Sequence, residues 1–144
     1  MDTKVAFFNN EILSFSENTH WGVGGVETRY GFGATFNMNT GELITLNYFI
    51  NLNINQFRDS IGDFLVKKFA EWDGEDEDYF LSKIDDLEEK LHEMEYEDYE
   101  YYYDGAAVNI ILNEMVFNNG CYVLKWDLQS GTLSEVHNQG SSTV

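Results

Sequence analysis

Sixteen of the chain's 26 acidic residues fall between Glu71 and Asp104, where only Lys83 and Lys90 oppose them. That segment carries −14 of the formal −18, sixteen acids less two lysines; the other 110 residues hold 10 acids and 6 bases, a modest −4. The chain therefore reads as an ordinary small domain with one intensely negative, tyrosine-rich region set into it. Such a field attracts cations and basic proteins and repels nucleic acid, anionic membranes and other polyanions. A disordered acidic tail is poor in aromatics, whereas eleven Phe, nine Tyr and three Trp in 144 residues are material for a packed core. A single domain of this length buries roughly 70% of its unfolded surface.

The pattern before the acidic segment is β-like. Glu11 to Glu17 alternates apolar and polar with period two, the mark of a half-buried strand. After Trp21-Gly22-Val23-Gly24-Gly25-Val26 a longer stretch runs from Glu27 to Met38, with Tyr30, Phe32, Ala34, Phe36 and Met38 on one parity. Asn39-Thr40-Gly41 reads as a tight turn and Glu42 to Leu46 as the return strand. A helix follows: Asn53 and Gln56 have capping-box spacing, and Phe57, Ile61, Phe64, Leu65 and Phe69 form its apolar stripe. Trp72-Asp73-Gly74 ends it. A second helix starts near Asp76 or Asp78 with a seam of Phe80, Ile84, Leu87, Leu91 and Met94. Glu93, Glu95 and Glu97 oppose the dipole at its far end, so fraying around Tyr96 is expected.

Beyond Asp104, β-like runs are expected over Val108 to Leu112, Met115 to Phe117, Cys121 to Asp127 and Thr132 to Val136, with turns at Asn118-Asn119-Gly120 and Gln129-Ser130-Gly131. Phe36-Asn37-Met38-Asn39-Thr40-Gly41-Glu42-Leu43 and Trp126-Asp127-Leu128-Gln129-Ser130-Gly131-Thr132-Leu133 share one hairpin grammar 90 residues apart. That is read as one turn solution reused rather than internal symmetry. The order β-β-β-α-α-β-β-β predicts an α+β fold, a mainly antiparallel sheet with two helices on one face. Residues 1–136 are expected to form the domain and 137–144 a flexible tail.

The stretch from Ile12-Leu13-Ser14 through Gly24-Gly25, the hairpin Phe36 to Leu46, Phe49 and the helix after it resemble a bacterial envelope domain family. That family occurs in lysozyme-sensing anti-sigma factors and beside polysaccharide deacetylase domains. The resemblance covers about the first 70 residues. The family's Gly-Gly-Ala-His is here Gly24-Gly25-Val26-Glu27, and no catalytic residue carries over. The resemblance implies an extracytoplasmic α+β binding or sensing module; in the anti-sigma members the partner is lysozyme, a very basic protein.

Few residues carry a recognisable chemistry of their own. The lone Cys121 permits no internal disulfide and reads as a buried small hydrophobe. His20, His92 and His137 are scattered, and no Ser-His-Asp or Cys-His spacing is recognisable. Gly22, Gly24 and Gly25 are followed by a strand, so a bulge or close backbone contact is expected there rather than a phosphate loop. Asp73-Gly74-Glu75-Asp76-Glu77-Asp78 places glycine wrongly for an EF-hand. No catalytic group, metal site or cofactor is expected. With no apolar run near 18 residues, no membrane insertion is expected either.

The remaining candidate is a contact surface made by Glu93, Glu95, Tyr96, Glu97, Asp98, Tyr99, Glu100 and Tyr101. Tyrosines supply area at low entropy cost, and carboxylates pair with Arg and Lys. The expected function is a non-enzymatic binding or sensing domain engaging a basic protein, without direct nucleic-acid binding. The alternative is a nucleic-acid-mimicking inhibitor of a DNA- or RNA-binding enzyme, of the phage anti-restriction or anti-CRISPR type. Localisation follows the reading: extracytoplasmic for an excised envelope domain, cytoplasmic if the chain is complete as given.

Overall fold

The computed structural model describes residues 2–23, 26–72, 77–113, 116 and 120–136, with the backbone alone at 21, 23, 26–27, 72 and 77–83. β1 (Asp2–Phe8), β2 (Ile12–Val23) and β3 (Val26–Asn37) form one antiparallel meander, sheet A. Next come α1 (Ile54–Trp72) and α2 (Glu77–Glu93). A second meander, sheet B, contains β4 (Glu100–Tyr103), β5 (Ala107–Asn113), β6 (Cys121–Asp127) and β7 (Leu133–Glu135). The fold is α+β.

Three expectations need correction. There are two sheets, not one. The return strand over Glu42 to Leu46 shrinks to a single bridge, Phe36 to Leu43, because the chain turns into a 3₁₀ helix at Leu46–Tyr48. Two strands were not expected. β1 escapes a period-two reading because its register slips: Val5 faces Phe15 but Phe7 faces Ser14, leaving Ala6 as a bulge. β4 is four residues long and lies inside the acidic, tyrosine-rich stretch. The expected turns at 73–74 and 118–119, residues 115 and 117 of the expected 115–117 run, the Gly24-Gly25 hairpin tip and the 137–144 tail lie outside the described residues; Gly22 pairs with Glu27 in regular register.

The helix signals hold. The Asn53 N–H donates to Gln56 Oε1 at 3.1 Å and the Gln56 N–H to Asn53 Oδ1 at 2.8 Å, closing the capping box. Phe57, Ile61, Leu65 and Phe69 are buried on one face of sheet B, with Phe57 stacked on Trp126 at 5.5 Å. α2 adds Leu87 and Leu91 to the same core, so both helices cover one face of the four-stranded sheet. The opposite face of sheet B packs a small cluster of Ile111, Cys121 and Val123. Cys121 is buried as expected, and burial pushes its thiol up to about 11.

The sheets meet where β3 crosses β4. The inward face of sheet A carries only small residues there. Ser14 and Thr35 are buried and share a hydrogen bond of 2.8 Å. Gly33 lies so close that a Cβ on it would fall 2.0 Å from the Tyr101 carbonyl oxygen. Side chains satisfy the backbone groups at this seam. Ser14 Oγ accepts the Tyr103 N–H (2.8 Å), Glu100 Oε1 accepts the Gly33 N–H (3.2 Å), and the Asn113 amide exchanges two 2.8 Å bonds with Gly31.

The two meanders also share their register. In sheet A the row Phe8, Leu13, Phe36, Leu43 runs across the strands; in sheet B the corresponding row is Tyr103, Val108, Trp126, Leu133. Asn37 Oδ1 caps the N–H groups of Asn39 and Thr40, and Gly41 (φ 76°) follows. Asp127 Oδ1 does the same for Gln129 and Ser130 before Gly131 (φ 73°). The first turns match as well: Asn9 Oδ1 accepts from Glu11 and Ile12, and Asp104 Oδ1 from Ala106 and Ala107. The correspondence thus extends beyond one reused hairpin to two turns and the register between them.

Candidate partner-binding surface

α2 presents its apolar seam to the core and its acids to solvent, as a helix with one apolar stripe must. Asp85, Asp86, Glu88, Glu89 and Glu93 are exposed, as are Glu95, Glu97 and Asp98 in the turn that follows. Eight carboxylates thus lie within fourteen residues. From Asp85 to Glu93 the helix rises only about 12 Å. Asp59 and Asp63 of α1 face Glu88 and His92 across a groove of about 240 Å³ that Arg58, Gly62 and Leu91 also line. Among the described residues no cluster of His, Cys, Asp and Glu is arranged to hold a metal ion. No helix among them is long and apolar enough to cross a membrane.

The end of α2 is held, not frayed. The Arg58 guanidinium reaches over from α1 and donates to the Met94 carbonyl through Nη2 at 2.6 Å and Nε at 3.1 Å. It also pairs with Glu95 at 3.3 Å. A cation at a helix C-terminus complements the dipole that the local glutamates oppose. The expectation of fraying failed because that cation lies 36 residues away in sequence. Tyr96 to Asp98 then form a 3₁₀ turn in which the Glu95 N–H donates to Asp98 Oδ2 at 2.9 Å.

The eight sequence-predicted residues divide by role. Glu93 and Glu97 are exposed and uncommitted to the turn; Glu95 and Asp98 are exposed but brace it. Glu100 is half-buried and holds Gly33. Tyr96 donates its hydroxyl to the Leu52 carbonyl at 2.7 Å. Tyr99 and Tyr101 are core residues, each 4% exposed, which corrects their assignment to a contact surface. Tyr99 meets Phe57 edge-on at 5.1 Å, and the Tyr101 hydroxyl donates to the Ile44 carbonyl. Burial pushes both phenols up to about 12. The Tyr101 side chain anchors β4, whose three consecutive tyrosines each carry a large apolar body with a polar tip.

The tyrosines therefore fix the turn from beneath, and carboxylates dominate the exposed surface, with Lys90 and His92 as its basic members. Asp85, Asp86, Glu88, Glu89, Asp59 and Asp63, missed as site residues, enlarge it. For the α2 members the signal was present: they occupy the helical positions left open by the Ile84, Leu87, Leu91 seam. No protein-family profile matches the chain, and neither does any curated protein.

Proposed function

We propose that the protein is a non-enzymatic binding module that presents the acidic face of α2 and the 95–98 turn to a basic protein. The observation that carries this is the set of eight exposed carboxylates on a helix and turn clamped by Arg58. A face held rigid before encounter loses little conformational entropy on binding. A concentrated field of one sign acts mainly on association rate and selects partners by charge. The resemblance of the first 70 residues to envelope sensing domains supports a sensor outside the cytoplasm, with a partner of lysozyme's chemistry. One observation favours the nucleic-acid-mimic reading of the same face: Asp85, Asp86, Glu88 and Glu89 recur at helical neighbours about 5–6 Å apart, a row of spaced anionic groups.

The test uses lysozyme as probe in titrations at rising salt. Affinity should fall steeply as the screening length drops from about 30 Å at 0.01 M to about 8 Å at 0.15 M. The variant D86N/E89Q/E93Q/E97Q should lose most of the affinity and keep its thermal stability, because none of these four braces the fold. Unchanged affinity in that variant would remove the proposal. Failure to bind lysozyme, with tight binding to a DNA-binding protein that duplex DNA displaces, would select the mimic instead.

A further inference from the structure

The outward face of sheet A is apolar and uncovered. Its cross-strand rows are Phe8, Leu13, Phe36, Leu43, then Val5, Phe15, Ala34, then Thr3, Glu17, Phe32. Phe15 stacks with Phe36 at 5.9 Å and Phe32 tilts against Tyr30 at 4.9 Å, two aromatic pairs on one face. Yet Val5 is 66%, Phe8 63% and Leu43 60% exposed. Antiparallel strands spaced about 4.8 Å apart and rising about 3.4 Å per residue make the apolar part, the Phe8 and Val5 rows with Phe32 and Tyr30 beyond them on β3, on the order of 300 Å². A contiguous apolar patch of that size marks an interaction site more often than scattered surface residues do.

The internal correspondence tells what such a face accepts. The equivalent rows of sheet B, built on Val108, Trp126, Ile110 and Leu124, are buried. α1 covers them with a stripe at Phe57, Ile61 and Leu65, spaced one helical turn apart. Two faces with the same register and the same kind of side chain suit the same kind of occupant, and in one of them it is an amphipathic helix. Charge excludes a second copy as the favoured occupant, since two chains of −18 repel. Glu17 in the third row, with the exposed Glu11 and Glu42 beside the face, suits cationic flanks on an occupant.

We infer that the outward face of sheet A is a docking surface for an amphipathic helix of a partner protein, with apolar residues one turn apart and Lys or Arg beside the stripe. This goes beyond the acidic contact face: it is a different surface, driven by apolar burial rather than by charge.

The experiment uses a fluorescent 19-residue helical peptide with α1's stripe spacing and lysines at its flanks, its scrambled counterpart, and the full chain, at 0.5 M salt. Saturable binding to the wild-type protein, absent for the scramble, is expected. F8S/F32S should weaken it at least tenfold, and D86N/E89Q/E93Q/E97Q should change it less than threefold. L43S, at a position outside the long strands, provides an independent variant with the same expected direction if the double variant unfolds. Binding that is unsaturable, matched by the scramble, or indifferent to both face variants would overturn the inference. So would concentration-dependent dimerisation of the protein alone that L43S abolishes, because the face would then belong to a second copy.

Discussion

Replacing Gly33 with alanine tests the seam that joins the two halves of the molecule. The added Cβ would lie 2.0 Å from the Tyr101 carbonyl oxygen and 2.4 Å from its carbon, and both are backbone atoms that no rotamer change can move. Real contacts of this kind do not fall below 3.0 Å, so β3 must recede from β4 by about 1 Å. Four hydrogen bonds now at 2.8 to 3.2 Å bridge this seam, from Gly33 to Glu100, twice between Gly31 and Asn113, and from Tyr103 to Ser14. A recession of that size takes them past useful length, at about 1 kcal/mol each.

Alanine also restricts the unfolded chain and returns up to about 1 kcal/mol. The expected net loss is about 3 kcal/mol, and the melting temperature of a chain this size should fall by about 9 °C. Urea unfolding followed by circular dichroism measures it: the midpoint should drop with the slope unchanged. A variant within about 0.5 kcal/mol of wild type, the usual range for inconsequential surface changes, would refute the close approach of the two sheets.

The same substitution at Gly62 should act in the opposite direction. A Cβ there meets only Leu91 Cδ1 at 4.0 Å, an ordinary contact, and glycine inside a helix is about 1 kcal/mol worse than alanine. G62A should raise the urea midpoint accordingly, and a destabilised variant would show that the groove between α1 and α2 is tighter than described. Alkaline behaviour follows from the buried tyrosines. Burial pushes Tyr99 and Tyr101 up to about 12 and raises Tyr122 as well, so the folded state holds these protons more tightly than the unfolded chain does. Their contribution is fully present below pH 10 and is lost as pH rises from 10 through 12. In an ultraviolet tyrosinate titration this set should ionise only together with loss of the circular dichroism signal; reversible ionisation near pH 10 in folded protein would contradict their burial.

Legibility from sequence tracked how local each determinant is. The Asn53–Gln56 box, the α1 stripe and the Asn37 and Asp127 turns depend on neighbours within a few residues, and all appear where the pattern puts them. β1 was hidden by its bulge at Ala6, which breaks the alternation that marks a strand. The aromatic parity of β3 was visible, but not which side it faced. Core packing normally claims large residues, whereas here Gly31, Gly33 and Thr35 face inward, because only small residues let β3 approach β4. The tyrosines of the acidic segment were misassigned for a related reason. Alternation with carboxylates places Tyr99 and Tyr101 on one side of the chain, but nothing local says that this side is the core.

By itself the sequence determined the charge: −18 overall, most of it in one segment. It also determined the helices and the tight turns, whose hydrogen bonds close within single turns of chain. Tertiary structure alone decided that the strands divide into two sheets, that Arg58 caps a helix 36 residues away, and that the helices cover sheet B while sheet A's aromatic face stays open. These depend on contacts between residues far apart in the chain, selected by fit and by the need to satisfy buried backbone groups, and no short-range pattern encodes that fit.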